Sequence, residues 1–69
     1  MNETVEAKII GERLIKLRGN RTQEEVAVQI GASVSAIGMY ERGERIPRDE
    51  IKVKLANLYK TSVQQLFYA

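Results

Sequence analysis

The sequence predicts an all-α fold, a compact bundle of five short helices in a single domain, and three features of the 69 residues predict it. Apolar residues recur at spacings of three and four, which is the period of one helix face. No segment alternates apolar and polar residues for more than a few positions, so no strand is expected. Residues that start or stop helices punctuate the chain at short intervals.

The first apolar series is Val5, Ile9 or Ile10, Leu14 and Leu17, with Lys8, Glu12, Arg13 and Lys16 largely off that stripe. It stops at Arg18-Gly19-Asn20, where Gly and Asn tolerate the left-handed conformation that ends a helix. Thr22 then reads as an N-cap, and Glu25 three residues on completes a capping box. Val26, Ala27 and Ile30 give the next apolar face, and Gly31 follows at once. Ser33 is a second N-cap, so the helix between the caps has only about eight residues and needs packing to persist. The third segment carries Val34, Ile37 and Tyr40 and runs out at Glu41-Arg42-Gly43. A basic loop spans 42–48, and Pro47 keeps Ile46 out of helical geometry ahead of a fourth helix. Ile51, Leu55, Leu58 and Tyr59 mark that helix. Thr61 or Ser62 caps a last short one with Val63, Leu66 and Phe67.

Composition narrows the chemistry. There is no cysteine and no histidine, which removes disulfides, thiolate nucleophiles, Cys/His zinc sites and His-based catalytic triads. The adjacent Glu24 and Glu25 diverge on a helix and suit shared acid–base work poorly, and no glycine-rich phosphate loop is present. No enzyme, metal site, cofactor or small-molecule ligand is therefore expected. No apolar run approaches the ~18 residues of a membrane span, and Met1–Lys8 lacks the basic start and apolar middle of a signal peptide. These features predict a soluble cytoplasmic domain without a membrane partner. The net charge is only +2, but its placement is uneven. Residues 1–41 carry five basic and six acidic side chains, whereas 42–69 carry six basic and three acidic. That asymmetry points one end of the domain towards an anion.

Two short helices joined by a tight turn containing glycine form a helix-turn-helix. Ala27 is small enough for a close crossing, Gly31 suits the sharp turn, and Val26, Ile30 and Ile37 can pin the two helices steeply. The second helix of the pair then presents Ser33, Val34, Ser35, Gly38 and Met39 away from that core.

The stretches Thr22-Gln23-Glu24-Glu25-Val26-Ala27, Gly31-Ala32-Ser33-Val34-Ser35-Ala36-Ile37 and Tyr40-Glu41-Arg42-Gly43 resemble the Cro/repressor-type (XRE-like) helix-turn-helix family. The likeness continues through Ile46-Pro47-Arg48 and Ser62-Val63-Gln64-Gln65-Leu66-Phe67, covering roughly residues 9–67. It implies a five-helix, lambda-repressor-like DNA-binding domain of a prokaryotic or phage-type transcriptional regulator. Such a domain binds a double-stranded operator, usually as a homodimer, with its third helix in the major groove.

The same resemblance implies roles for single residues. Gln23, together with the free amides of its helix N-terminus, matches a phosphate contact; a merely solvated glutamine is the alternative. Ser33, Val34, Ser35, Gly38 and Met39 match base-facing positions, with serine hydroxyls for base edges and Val34 and Met39 for thymine methyls. This helix carries no charged side chain from Ser33 to Tyr40, so shape or water-mediated readout gains weight. Gly38 costs about 1 kcal/mol relative to Ala inside a helix, for which close approach to DNA and relief of a clash with a neighbouring helix are both open explanations. Arg42, Arg45 and Arg48 match phosphate-holding positions of the loop; the alternative is local pairing with Glu44, Asp49 and Glu50, to which Arg45 is the most exposed. Arg18 matches an arginine that braces the glutamate ending the third helix, here Glu41, with Lys16 as the other possible partner. Lys52 and Lys54 read as surface residues. The predicted function is a repressor acting on a palindromic operator. A protein-interaction module on the same scaffold, such as an antirepressor or antitoxin-like partner, is the alternative. Any dimer is expected to use the C-terminal region around Phe67 and Tyr68.

Overall fold

A computed structural model describes residues 5–69; Met1–Thr4, part of the stretch weighed against a signal peptide, lie outside the described residues. Four α-helices follow one another, α1 (Ala7–Arg18), α2 (Gln23–Ile30), α3 (Val34–Arg42) and α4 (Asp49–Leu58), and a π-helical turn, α5 (Gln64–Tyr68), completes the order. No strand occurs among the described residues, and no helix of theirs is long and apolar enough to cross a membrane.

Local chemistry sets the boundaries. The Thr22 hydroxyl accepts from the Glu25 amide at 3.0 Å while the Glu25 carboxylate accepts from the Thr22 amide at 2.7 Å, closing a capping box at the start of α2. Ser33 and Ser62 cap in the same sense, accepting from the amides of Ala36 and Gln65 at 3.0 Å each. Gly31 ends α2 in the left-handed conformation, φ 69°, and its amide turns back to the carbonyls of Ala27 and Val28. Three residues later α3 has begun, so this glycine makes the sharp turn between the two helices. Pro47 is buried two residues before α4, whose N-cap is Arg48. The end of α4 lacks a glycine: Lys60 takes φ 58° instead, a conformation that costs a side-chain-bearing residue ~1–2 kcal/mol.

The core comes from every element: Ile10 and Leu14 of α1, Val26 and Ile30 of α2, Ile37 of α3, Leu55 of α4, and Leu66 and Phe67 of α5 are all buried. The spacing that left Ile9 and Ile10 open resolves to Ile10, since Ile9 stays 40% exposed. Leu17, expected on the same stripe, is 37% exposed. It follows Leu14 by three residues and Ile10 by seven, and the slow drift of a straight helix carries it off the face that α3 covers. α1 packs against α3 and α5, and α2 against α3 and α4. The final turn is tied down by Arg13, whose guanidinium donates to the carbonyl oxygens of Gln65 and Leu66 at 3.0 Å and of Ala69 at 2.6 Å.

Lys52 departs from its expected surface position. Its side chain is only 8% exposed, and its ammonium donates to the Tyr68 hydroxyl at 2.8 Å. It lies 4.9 Å from the Tyr68 ring centre and 5.7 Å from that of Phe67. The ring faces replace part of the water that a buried ammonium loses, and the aliphatic stem covers apolar surface.

Candidate nucleic-acid interface

The helix pair α2–α3 positions the predicted contacts. Because Ile37 and Tyr40 face the core, the opposite side of α3 faces outward. Ser33, Val34 and Ser35 are exposed, and Met39 is half-buried. Val34 was expected on the apolar stripe of α3 as well as at its outer face, and its 40% exposure assigns it to the outer face. The Ser33 oxygen is engaged as the N-cap; its hydroxyl proton remains able to donate outward.

Gly38 departs from expectation: it is buried rather than projecting from the helix. Helical side chains lean towards the N-terminus, and Arg42, one turn on, lays its guanidinium over this glycine. A Cβ at Gly38 would stand 2.9 Å from Arg42 Nη1, and the three atoms nearest to it all belong to that guanidinium. The close helix crossing lies elsewhere, at Gly11 of α1. A Cβ there would run into the main-chain carbonyl of Glu41 and stand 3.0 Å from the Tyr40 carbonyl oxygen.

Arg18 and Glu41 are brought together. Arg18 Nε donates to Glu41 Oε2 at 2.7 Å and Nη2 to Oε1 at 3.2 Å, a two-point contact on a carboxylate only 4% exposed. The hydrogen bond to Glu41 raises the guanidinium pKa above its ordinary value, against the opposing effect of burial. Lys16 is exposed and takes no part. Gln23 joins the same group, its Nε2 donating to Glu41 Oε1 at 2.8 Å. Glu41 therefore ties α1, α2 and α3 together, and no buried side-chain nitrogen or oxygen among the described residues lacks a partner. The side chain of Gln23 is thus held in place beside the first amides of α2, which have no intrahelical acceptor.

At the other end of α3, Arg42, Arg45 and Arg48 are all exposed. The local ion pair falls on Arg42 rather than Arg45: Arg42 Nε contacts Glu44 Oε2 at 3.0 Å, with both side chains more than half exposed. The left-handed turn at Gly43 sets Glu44 beside Arg42, while Arg45 and Arg48 form no ion pair among the described residues. These two arginines border a cleft of 340 Å³ between the α2–α3 turn and the loop before α4. The outer face of α3 is therefore flanked by an amide-bearing helix end on one side and a cationic loop on the other. That arrangement suits a groove edged by two phosphate strands.

A helix-turn-helix family profile matches residues 12–66. The chain belongs to the helix-turn-helix family. This helix-turn-helix chain is 39% identical over 59 residues to the cryptic phage CTXphi transcriptional repressor RstR of Vibrio cholerae, across 83% of this chain and 53% of the repressor. It thus spans about half the length of that curated relative. Among solved structures it is similar to the restriction-modification controller protein C.AhdI from Aeromonas hydrophila, with a TM-score of 0.80 and 32% identity. That likeness covers 88% of this chain and 96% of the controller protein. The five-helix all-α expectation and the family resemblance both hold for this helix-turn-helix chain.

Sequence reasoning did not find three features of this interface: the Gln23–Glu41 hydrogen bond, the Gly11 crossing and the burial of Gly38. A glycine inside α1 was itself a signal, because glycine weakens a helix interior unless close packing requires it.

Proposed function

We propose that this chain is a sequence-specific DNA-binding transcriptional regulator, a repressor, that lays α3 in the major groove of a palindromic operator. The observation that carries the reading is the exposed Ser33–Ser35 face of α3 set between Gln23 and the arginine loop. In this reading Ser33, Val34, Ser35 and Met39 meet base edges. Gly38, although covered by Arg42, becomes accessible if that side chain swings towards a phosphate. Gln23, Arg42, Arg45 and Arg48 hold the backbone, and the Arg18–Glu41 pair braces the helices that carry them. The names of the two relatives, a transcriptional repressor and a controller protein, support a regulator rather than an enzyme. A regulator of this kind works in the cytoplasm, where its operator is.

The longest dimension of the domain is 33 Å, and it carries one such helix. Reading two half-sites roughly 34 Å apart requires a second copy. We assign the homodimer contact to the region of α4 and α5 around Phe67 and Tyr68. Of these, Tyr68 offers accessible surface, whereas Phe67 is wholly buried and acts by shaping α5.

Selection of bound duplexes from a random pool tests this function, repeated with Ser35→Ala and Met39→Ala. The expected outcome is one enriched palindrome whose preferred bases change in the variants. An intact fold that enriches no sequence at low ionic strength would turn the reading towards the protein-interaction alternative, for which the uncharged Val34–Met39 face is the contact. Salt separates the two: phosphate-mediated binding weakens steeply as salt rises, and an apolar contact does not.

A further inference from the structure

Tyr40 is 92% removed from solvent, being only 8% exposed, and its ring belongs to the core. Its hydroxyl nevertheless bonds to no group among the described residues. It is not an orphan sealed in the interior either, because no buried side-chain oxygen there lacks a partner. The hydroxyl therefore keeps access to solvent, and Tyr40 lines a cleft together with Ser33, Arg45 and Arg48. Ser33, Ala36 and Tyr40 follow one another at helical spacing and form one wall. The loop from Arg45 to Arg48, with Ile51 behind it, forms the other. No carboxylate of the described residues lines this cleft. A neutral donor on a residue that shares the cleft with two arginines, neither in an ion pair among the described residues, suits an oxyanion, since a cation or an uncharged apolar ligand would leave those donors unanswered.

The cleft opens beside Ser33, immediately before the outer face of α3. We propose that it seats one backbone phosphodiester of bound duplex DNA, with the Tyr40 hydroxyl donating a hydrogen bond to a phosphate oxygen while Arg45 and Arg48 close over the same group. The proposal rests on the DNA-binding reading above and adds a neutral, core-anchored contact to it. A hydroxyl carried on a buried ring loses little freedom on binding, unlike an arginine on a loop, so it fixes where the strand lies as well as how tightly it is held.

Tyr40→Phe removes the hydroxyl and nothing else. Because that hydroxyl has no partner among the described residues, the melting temperature should stay at the parent value. Affinity for every duplex, selected or random, should fall about tenfold, the size expected for a lost hydrogen bond to a charged group. The salt slope should not change, because a neutral donor releases no counterion, whereas Arg45→Ala should flatten the slope by about one unit. Duplexes carrying a single uncharged methylphosphonate identify the anion. At one position the parent should weaken to the affinity of the variant, and the difference between them should vanish. Parent affinity in Tyr40→Phe, a loss matched by a lowered melting temperature, or a loss that no methylphosphonate position abolishes would each overturn the phosphate seat while leaving DNA binding intact. Failure of the parent itself to bind any duplex would instead remove the function on which the seat rests.

Discussion

Gly11 of α1 faces the main-chain carbonyl of Glu41 in α3 with no room for a methyl group between them: a Cβ there would stand 2.9 Å from the Glu41 carbonyl carbon. The obstacle is backbone on the far side, so it cannot rotate away. Gly11→Ala should therefore destabilise the domain despite gaining about 1 kcal/mol of helix propensity. Overpacking of ~1–3 kcal/mol outweighs that gain, and the net loss lowers the melting temperature by roughly 5 °C. Gly38→Ala is the contrast, because the atoms nearest its Cβ position belong to the mobile end of Arg42. It should leave the melting temperature unchanged or raise it. Thermal denaturation of the two variants side by side checks both, and equal behaviour would show that the α1–α3 crossing is not set by Gly11.

The carboxylate of Glu41 serves Arg18 and Gln23 at once. Truncating it strands two donors that are themselves largely covered, so Glu41→Ala should cost about 3 kcal/mol. Gln23→Ala removes one donor from a carboxylate that keeps Arg18, and should cost about 1 kcal/mol. Urea denaturation separates the two values. If Gln23→Ala matched Glu41→Ala, the glutamine would be the larger contributor, and the ion pair would add little.

Lys52 supports α5 through its stem and through its ammonium, and two substitutions tell these apart. Lys52→Met keeps packing against Phe67 and Tyr68 and removes a charge that is only 8% exposed, so stability should be retained or increased. Lys52→Ala also loses the stem and should cost about 1–2 kcal/mol. A melting temperature lower in Lys52→Met than in Lys52→Ala would mean that the ammonium–ring contacts and the bond to Tyr68 outweigh packing.

These features differ in how far the sequence revealed them. The capping box was legible because Thr22 and Glu25 act over three residues, and the turn at Gly31 because glycine is the residue that tolerates its positive φ. The outward position of Ser35 follows from Ile37 pointing inward two residues away, on the opposite side of the helix, whereas Val34 stands at stripe spacing from Ile37 and only its exposure places it outside. Lys52 was not legible, since its burial depends on Phe67 and Tyr68 arriving from fifteen and sixteen residues on to cover it. Gly38 and Arg42 could be paired from sequence only by knowing which rotamer the arginine takes. The left-handed Lys60 carries no glycine to announce it, and Gln23 meets Glu41 across eighteen residues, a contact that exists only once α2 and α3 have packed.

Burial raises the pKa of Tyr59 above its ordinary 10.0, the nearby Glu41 carboxylate adds to the rise, and Arg21 and Arg18 oppose it. A folded-state pKa above the unfolded value favours the neutral phenol in the fold. Its contribution is complete below the unfolded pKa and is lost as pH climbs through the folded one. The domain should accordingly lose stability above about pH 10, and Tyr59→Phe should lose less over the same range. Melting temperatures from pH 7 to 11 for parent and variant give the comparison. Parallel curves would remove Tyr59 from the alkaline transition.

Arg42 reaches a phosphate only by leaving Glu44, which holds it at 3.0 Å. That hydrogen bond lowers the Glu44 pKa, so the carboxylate stays ionised through the whole neutral range and keeps competing with DNA. Glu44→Gln should release the arginine and remove a repelling charge from the rim of the arginine loop. Affinity for all duplexes should rise several-fold, and the salt slope should steepen as Arg42 is freed for a phosphate. Arg48→Ala should do the opposite, weakening all duplexes alike and flattening the slope by about one unit. The two together locate the cationic side of the interface. A Glu44→Gln variant with parent affinity would place Arg42 off the strand, and an Arg48→Ala variant with the parent slope would show that Arg48 caps α4 without touching DNA.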